Sequence, residues 1–346
     1  MAIVFDAPVV PDAQTAYIRE IPIPANNWFL RNVPITYSTE QYVEWSEITR
    51  KNRTARYRNF DGRIHVSERD QLSGKRVRLL PFSNSLNMGE YERLQIEFKR
   101  LGGSREEAMV DAIYRDNDQL VAEMYNRMEL AIGDVATDGK LTINENGALG
   151  EIDFAIPGGQ LPTAGTVWTN SAALILNDLI AYADVYKAAN GVRPGRIILG
   201  SQALYRAMQT NTQLIGAAVG SASGKTRINE RELADLLSSE GLPTQIDVHD
   251  GMVNHDGVDT KIIPADRMIM APADLGEVIE FRFGLSATAL ELVDSNIAEM
   301  SFEESPGMVG VIEKQGPPYR QFVFVDAVGI PLLKDAKKLL IADVAA

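Results

Sequence analysis

Cysteine is absent from this 346-residue chain, and histidine is scarce, with three residues. A chain without thiols has no disulfide framework, no thiolate metal site and no cysteine nucleophile. Long apolar runs are also missing, since none reaches the roughly 18 residues that a membrane-spanning helix needs. The opening residues, MAIVFDAPVV, have no basic region ahead of their apolar side chains, so they do not match a secretory signal. We therefore expect synthesis and assembly in a reducing cytoplasm.

Positive charge is in deficit overall but concentrated in one segment. The chain has 34 Lys and Arg against 47 Asp and Glu, a net charge of −13. The segment from Arg50 to Arg78 contains ten basic and three acidic residues, so its net charge is +7 and that of the remainder is −20. The ten are Arg50, Lys51, Arg53, Arg56, Arg58, Arg63, Arg69, Lys75, Arg76 and Arg78. This charge division favours self-association, with the basic segment of one copy lying on an acidic surface of another; a solvated loop and a nucleic-acid arm are the alternatives.

Residues 1–49 have the composition of an extended arm. They contain five prolines, and proline fixes φ and removes a backbone donor. Trp28, Phe29 and Leu30 form a short apolar patch in this segment. Because such a segment cannot build its own core, we expect these three residues to dock the arm on a larger body or on a neighbour.

Residues 50–86 contain two short runs that resemble strands. These runs are Arg63–Val66 and Val77–Leu80. Between them lies the polar stretch Ser67–Gly74, which ends in a Ser-Gly turn signal. This pattern predicts a long hairpin with few large apolar residues. An isolated hairpin of this kind is only marginally stable, so it needs a partner surface.

A long helix is indicated from Ser104 to Gly133. Ser104 and Glu107 have the spacing of a capping box. Apolar residues then recur at helical spacings along one stripe, interrupted by Asn117. They are Val110, Ile113, Leu120, Met124, Met128 and Ala131. About thirty residues at ~1.5 Å each give a helix of roughly 45 Å, which is long for a globular domain.

The rest of the chain mixes helices and strands. Asn146-Gly147 lies between two alternating runs and predicts a hairpin. A helix is predicted from a cap at Asn170 to its close at Asn190-Gly191, and another over 230–239 from a capping box of Asn229 with Glu232. Strands are predicted at 196–199, 245–248, 261–263, 267–270, 322–325 and 339–341. Together these elements predict an α+β fold.

Two motifs could support enzyme chemistry, and both are weak. Gly220–Thr226 resembles a phosphate-binding loop, but the position that needs the first glycine is Val219, so the loop is one residue short. His249 and His255 could begin a metal site, but they lie in a stretch that reads better as a turn between strands. We therefore predict no catalytic residues, no bound cofactor and no metal.

The order of these parts resembles the lambda-type major capsid protein E family of tailed bacteriophages. The resemblance is clearest in NDQLVAEMYNRMELAIGDVATDGKLTINENG, where the helix runs into the hairpin. It recurs from Gly200 to Gly241, and in RQFVFVDAVGIPLLKDAKKLLIADV near the end. The family has the Hong Kong 97-type capsid fold, with an N-terminal arm, an extended β-hairpin loop, a spine-helix peripheral domain and an α/β axial domain.

The resemblance implies a division of the chain and a role for each part. The ranges are 1–49 for the arm, 50–86 for the extended loop, 87–168 for the peripheral domain, 169–300 for the axial domain and 301–346 for return strands that complete both domains. The extended loop would lie over an adjacent subunit through Arg50, Lys51, Arg53, Arg56, Arg58, Arg63, Lys75, Arg76 and Arg78. Ser221, Ser223 and Lys225 would approach the capsomer axis, and the hairpin around Asn146 would meet neighbours near local three-folds.

The expected function is that of a major capsid protein, which forms hexamers and pentamers of an icosahedral head around double-stranded DNA. Lambda-type relatives use a separate scaffolding protein, and a portal and a decoration protein are further expected partners. Assembly is expected in the cytoplasm of a bacterial host, and the product in the virion head. The alternatives are an encapsulin-like compartment shell and, much weaker, a nucleotide- or metal-dependent enzyme.

Overall fold

The computed structural model describes residues 8–48, 72–98, 105–145, 148–295, 300–317 and 320–345. The chain forms two compact units, and each is built from segments that are far apart in sequence. Unit 1 comprises Met1–Val43, Arg78–Gly133 and Glu280–Leu332. Unit 2 comprises Glu44–Val77, Asp134–Ile279 and Leu333–Ala346.

Helices and strands are mixed along the described residues, as the sequence predicts for an α+β fold. The helices are α1 Pro11–Glu20, α2 Trp28–Asn32, α3 Glu90–Phe98, α4 Arg105–Asp138, α5 Ile175–Asn190, α6 Gln202–Thr210, α7 Thr212–Val219, α8 Glu230–Ser239 and α9 Ala287–Asp294. The strands are β1 Ile35–Tyr37, β2 Tyr42–Ile48, β3 Leu72–Arg78, β4 Leu80–Met88, β5 Lys140–Glu145, β6 Ala148–Asp153, β7 Arg196–Leu199, β8 Gln245–Val248, β9 Met252–His255, β10 Val258–Lys261, β11 Arg267–Ala271, β12 Ile279–Gly284, β13 Val309–Gln315, β14 Arg320–Leu333 and β15 Leu340–Asp343.

Unit 1 is organised around a five-stranded sheet. Its order is β1-β12-β14-β13, and β4 also pairs with the long strand β14. The β14 sequence alternates buried and half-buried residues over its first half, which is the period-2 pattern of a strand with one covered face. Aromatic rings pack on this sheet, where Phe281 and Phe283 lie with their ring centroids 5.1 Å apart.

The predicted long helix is confirmed as α4, although it is longer than expected. The sequence places its end at Gly133, but the helix continues to Asp138 and stops before Gly139, whose φ is +74°. A glycine within a helix costs only about 1 kcal/mol relative to alanine, so Gly133 alone does not end it. The predicted cap, Ser104, lies outside the described residues.

The N-terminal segment differs from the expected extended arm because residues 11–20 are helical. Pro11 occupies the first turn of α1, where its missing N–H has no intrahelical partner to lose and its fixed φ suits the helix. The prediction of extended chain was therefore wrong at Pro11, because a proline in this position favours the start of a helix. Within the predicted apolar patch, Phe29 and Leu30 are buried.

Unit 2 is built around a four-stranded sheet of order β15-β11-β7-β8. Strand β7 pairs parallel with β8 and antiparallel with β11, and all four of its residues are buried. Helices α5 to α8 pack around a shared core that includes Trp168, Leu179, Leu204 and Leu233. The predicted strands at 196–199 and 245–248 are confirmed at the same residues.

Three local predictions for unit 2 and the basic segment had different outcomes. Asn170 does not cap α5, which begins at Ile175; its side chain instead accepts a hydrogen bond from the Ala172 N–H in a turn. The strand expected over 261–263 lies earlier, at Val258–Lys261, and forms a hairpin with β9. Arg63–Val66 lies outside the described residues, whereas Val77–Leu80 falls within β3 and β4.

Candidate assembly surfaces

The apolar patch of the N-terminal segment lies in helix α2 of unit 1. Phe29 and Leu30 are buried, whereas Trp28 is half-buried with its ring centroid 5.1 Å from that of Phe29. The backbone N–H groups of Phe29 and Leu30 donate to the two carboxylate oxygens of Glu129, at 2.8 and 2.9 Å. Both donors belong to the first turn of α2, where N–H groups have no intrahelical partner. Glu129 therefore satisfies them from α4.

No sequence pattern indicated that Glu129 would have this role. It is fully buried, whereas Asp111 and Asp118 of the same helix are exposed. Buried carboxylates are costly unless they accept hydrogen bonds, and here two charge-assisted bonds compensate. The pairing of Glu129 with Phe29 and Leu30, about a hundred positions earlier in the chain, accounts for its burial.

Helix α1 adds polar contacts with α4 in the same unit. The Gln14 side-chain amide donates to Asn117 Oδ1 at 2.9 Å, and both residues are fully buried. The Tyr17 hydroxyl donates to Asp118 at 2.7 Å, and this bond is the largest cause that raises the Tyr17 pKa. Asn117, which interrupts the apolar stripe of α4, is thus a polar contact point between α4 and α1.

The basic segment is only partly described. Lys75, Arg76 and Arg78 lie on β3, and Arg76 and Arg78 are exposed. The other predicted contact residues, Arg50, Lys51, Arg53, Arg56, Arg58 and Arg63, lie outside the described residues. Strand β3 pairs with β2.

The predicted axis loop connects α7 to α8 in unit 2. Ser221 and Ser223 form a short 3-10 turn between Gly220 and Gly224, whose φ values are +83° and +67°. The Lys225 ammonium contacts Glu232 Oε1 at 2.5 Å. That hydrogen bond, followed by the Asn229 backbone N–H, lowers the Glu232 pKa below its usual value. Lys225 thus pairs with a side chain in the first turn of α8.

The two histidines of the weak metal motif are engaged separately. His249 Nδ1 accepts a hydrogen bond from the Gly251 N–H at 3.2 Å. His255 Nε2 lies 3.1 Å from Glu145 Oε1, at the end of the β5–β6 hairpin. Within the described ranges, no group of three His, Cys, Asp or Glu side chains could hold a metal ion. No helix among those residues has the length and apolar character to cross a membrane.

Solved structures define the fold. One described as a capsid protein of a prophage from Escherichia coli CFT073 is 13% identical, with a TM-score of 0.60, covering 95% of this chain and 97% of that one. A phage-related protein from Bordetella bronchiseptica RB50 has a TM-score of 0.56 at 12% identity, covering 100% and 98%. The capsid of cyanophage A-1(L) has a TM-score of 0.51 at 12% identity, covering 92% of each chain. The chain has the fold of phage capsid proteins, the Hong Kong 97-type fold.

Sequence comparison identifies the family. The family described as phage major capsid protein E matches residues 12–286, which is most of the chain. The chain therefore belongs to the phage major capsid protein E family. No curated protein sequence matches it. It is a major capsid protein, a structural subunit that self-assembles into the shell of the virion head.

Proposed function

We propose that this chain forms the icosahedral head shell of a tailed phage, as hexamers and pentamers that enclose double-stranded DNA. The family match over residues 12–286 is the observation that carries this proposal. The net charge of −13 is consistent with a shell that encloses a genome without gripping it, because binding to phosphates depends on Lys and Arg.

The proposed division of the chain follows the family. Residues 1–49 are the arm, 50–86 the extended loop, 87–168 the peripheral domain, 169–300 the axial domain and 301–346 the return strands. The basic residues from Arg50 to Arg78 contact the adjacent subunit, and Ser221, Ser223 and Lys225 face the capsomer axis. The exposed positions of Arg76, Arg78 and Lys225 support these roles, since such contacts need accessible side chains.

The proposed partners beyond the chain itself are a separate scaffolding protein, a portal and a decoration protein. Assembly takes place in the cytoplasm of the bacterial host. We further propose that the subunit has no catalytic activity. The engagement of Lys225 with Glu232 supports this, because the lysine of a nucleotide-binding loop must face the phosphates.

Electron microscopy of negatively stained particles, followed by sequencing of nuclease-protected nucleic acid, tests this function. Particles produced with the other head proteins should be closed shells that protect double-stranded DNA of phage origin. Closed shells that contain a protein cargo and no genome would indicate a cellular compartment instead. A subunit that stays monomeric at high concentration and turns over a nucleotide would contradict the shell function altogether.

A further inference from the structure

Strand β13 is the last strand in the described order of the unit 1 sheet, so one of its edges has no neighbouring strand. An edge strand presents N–H and C=O groups that can pair with a strand of another chain. In antiparallel pairing these groups point alternately toward and away from the partner strand, so residues two apart point the same way. The Gly310 N–H donates to a helix residue, Thr15, and not to β14, so the backbone groups of Gly310, Ile312 and Lys314 point away from β14.

Helix α1 occupies the edge at the start of β13. The Gly310 N–H donates to the Thr15 hydroxyl at 3.2 Å, and Arg19 Nε donates to the Met308 carbonyl at 3.1 Å. Two residues of one helix thus supply the acceptor and the donor that a neighbouring strand would supply. Arg19 also donates to the carbonyls of Glu304 and Ser305, at 2.6 and 3.2 Å, which fixes the chain that leads into β13.

The close approach of α1 requires a glycine in β13. A Cβ at Gly310 would lie 2.4 Å from Ile18 Cδ1 and 2.8 Å from Gln14 Cγ, both well inside van der Waals contact. Ile18, Gln14 and Thr15 are buried. Helix and strand are therefore fitted to each other at this position.

The covered strand has the composition of a pairing-prone edge. Its first four residues are Val309, Gly310, Val311 and Ile312, which are uncharged, and three of them are β-branched. Strands of this composition are the segments most prone to intermolecular pairing when their edge is open. A subunit present in many copies at high local concentration has a particular need to cover such an edge.

We propose that α1 is an edge cover, an autoinhibitory contact that keeps β13 from pairing with a strand of a second copy. Subunits then associate through their shell contacts and not through this sheet edge. The role is distinct from docking on a neighbour, because every contact that supports it lies within one unit of one chain.

The variant Gly310→Ala tests the proposal, because its added methyl group displaces α1 without removing a hydrogen-bonding group. Gly150→Ala is the matched control, since Gly150 also lies in a strand and has no atom within 4 Å of an added Cβ. The chain has no cysteine, so Lys314→Cys in each background gives a single exposed thiol beside the edge. Unassembled subunits are treated with a short bifunctional thiol cross-linker, and amide exchange is followed over residues 309–315.

Gly310→Ala should increase amide exchange over β13 and give several-fold more cross-linked dimer than Gly150→Ala. Faster exchange without additional dimer would overturn the proposal. If Gly310→Ala does not fold or leaves exchange unchanged, the double variant Thr15→Val/Arg19→Met removes both polar contacts instead. Cross-linked dimer in that variant supports the edge cover, and its absence contradicts it.

Discussion

Glu129 shows at the scale of one residue how the N-terminal segment is held in unit 1. Its carboxylate is fully buried, and both oxygens accept backbone N–H groups at the start of α2. Hydrogen bonds to charged groups are worth about 1.5–3 kcal/mol each, and a buried donor that loses its acceptor has a further cost. A single side chain thus stabilises the segment that carries Phe29 and Leu30.

Glu129→Gln should lower the free energy of unfolding by about 2–3 kcal/mol. The amide nitrogen cannot accept a hydrogen bond, so one of the two backbone N–H groups would lose its acceptor. Denaturant unfolding of the purified subunit measures this. Glu151→Gln is the control, since Glu151 is half exposed and forms a surface pair with Lys140, whose loss should change the free energy of unfolding very little. Equal losses from the two variants would show that Glu129 does not have this role.

Tyr182 makes the stability of unit 2 depend on pH in the alkaline range. Burial, followed by the negative charges of Asp178 and Asp343, raises the pKa of Tyr182 from 10.0 to about 12. The folded chain therefore keeps this proton at a pH where the unfolded chain loses it. This contribution to stability is fully present below pH 10 and is lost as the pH rises through about 12. Tyr182→Phe should lessen the loss of stability over this range, as measured by denaturant unfolding at successive pH values. An unchanged pH dependence would contradict the assignment.

At the scale of elements, the local capping signals predicted the start of α8 but not the start of α5. Asn229 and Glu232 form the predicted capping box, with the Glu232 N–H donating to Asn229 Oδ1 at 2.8 Å. Asn170 has the same residue type, but its side chain closes a turn, so α5 begins five residues later. The composition of α1 was misleading because a proline at a helix start resembles a proline in extended chain.

Asn229→Ala should cost about 1 kcal/mol, because the Glu232 N–H in the first turn of α8 loses its acceptor, Asn229 Oδ1. Denaturant unfolding gives the free energy, and amide exchange at the start of α8 gives the location. Thr226→Ala, at an exposed position in the preceding loop, should change the free energy by less than about 0.5 kcal/mol. A similar small change in both variants would contradict the importance of the capping box.

At the scale of the whole molecule, long-range pairings are what the sequence could not predict. Strand β4 pairs with β14 from Leu80 opposite Gly329 to Met88 opposite Gln321, and β1 pairs with β12 across a similar separation in sequence. Periodicity identifies a strand and its covered face, but it does not identify a partner more than two hundred residues away. The same reason explains why Trp28, Phe29 and Leu30 could be predicted to dock, whereas Glu129, which accepts from the Phe29 and Leu30 N–H groups, could not be predicted as their partner.

The basic segment supports a prediction about assembly. The triple variant Arg53→Glu/Arg56→Glu/Arg58→Glu should stay soluble but form fewer particles, because it places negative charge where an acidic surface of another copy is expected. Single exposed ion pairs contribute only about 0–1 kcal/mol, so each single reversal should have little effect. Sedimentation velocity measures the particle fraction. Normal particle yield from the triple variant would contradict the proposed contact.

A cryo-electron microscopy reconstruction of particles formed by the expressed chain is the measurement that tests the central claim most directly. We predict closed icosahedral shells built from hexamers and pentamers, with both units of each subunit in the shell wall. Particles without icosahedral symmetry, or a chain that forms no shell in the presence of its scaffolding protein, would contradict the identification of this chain as the shell subunit.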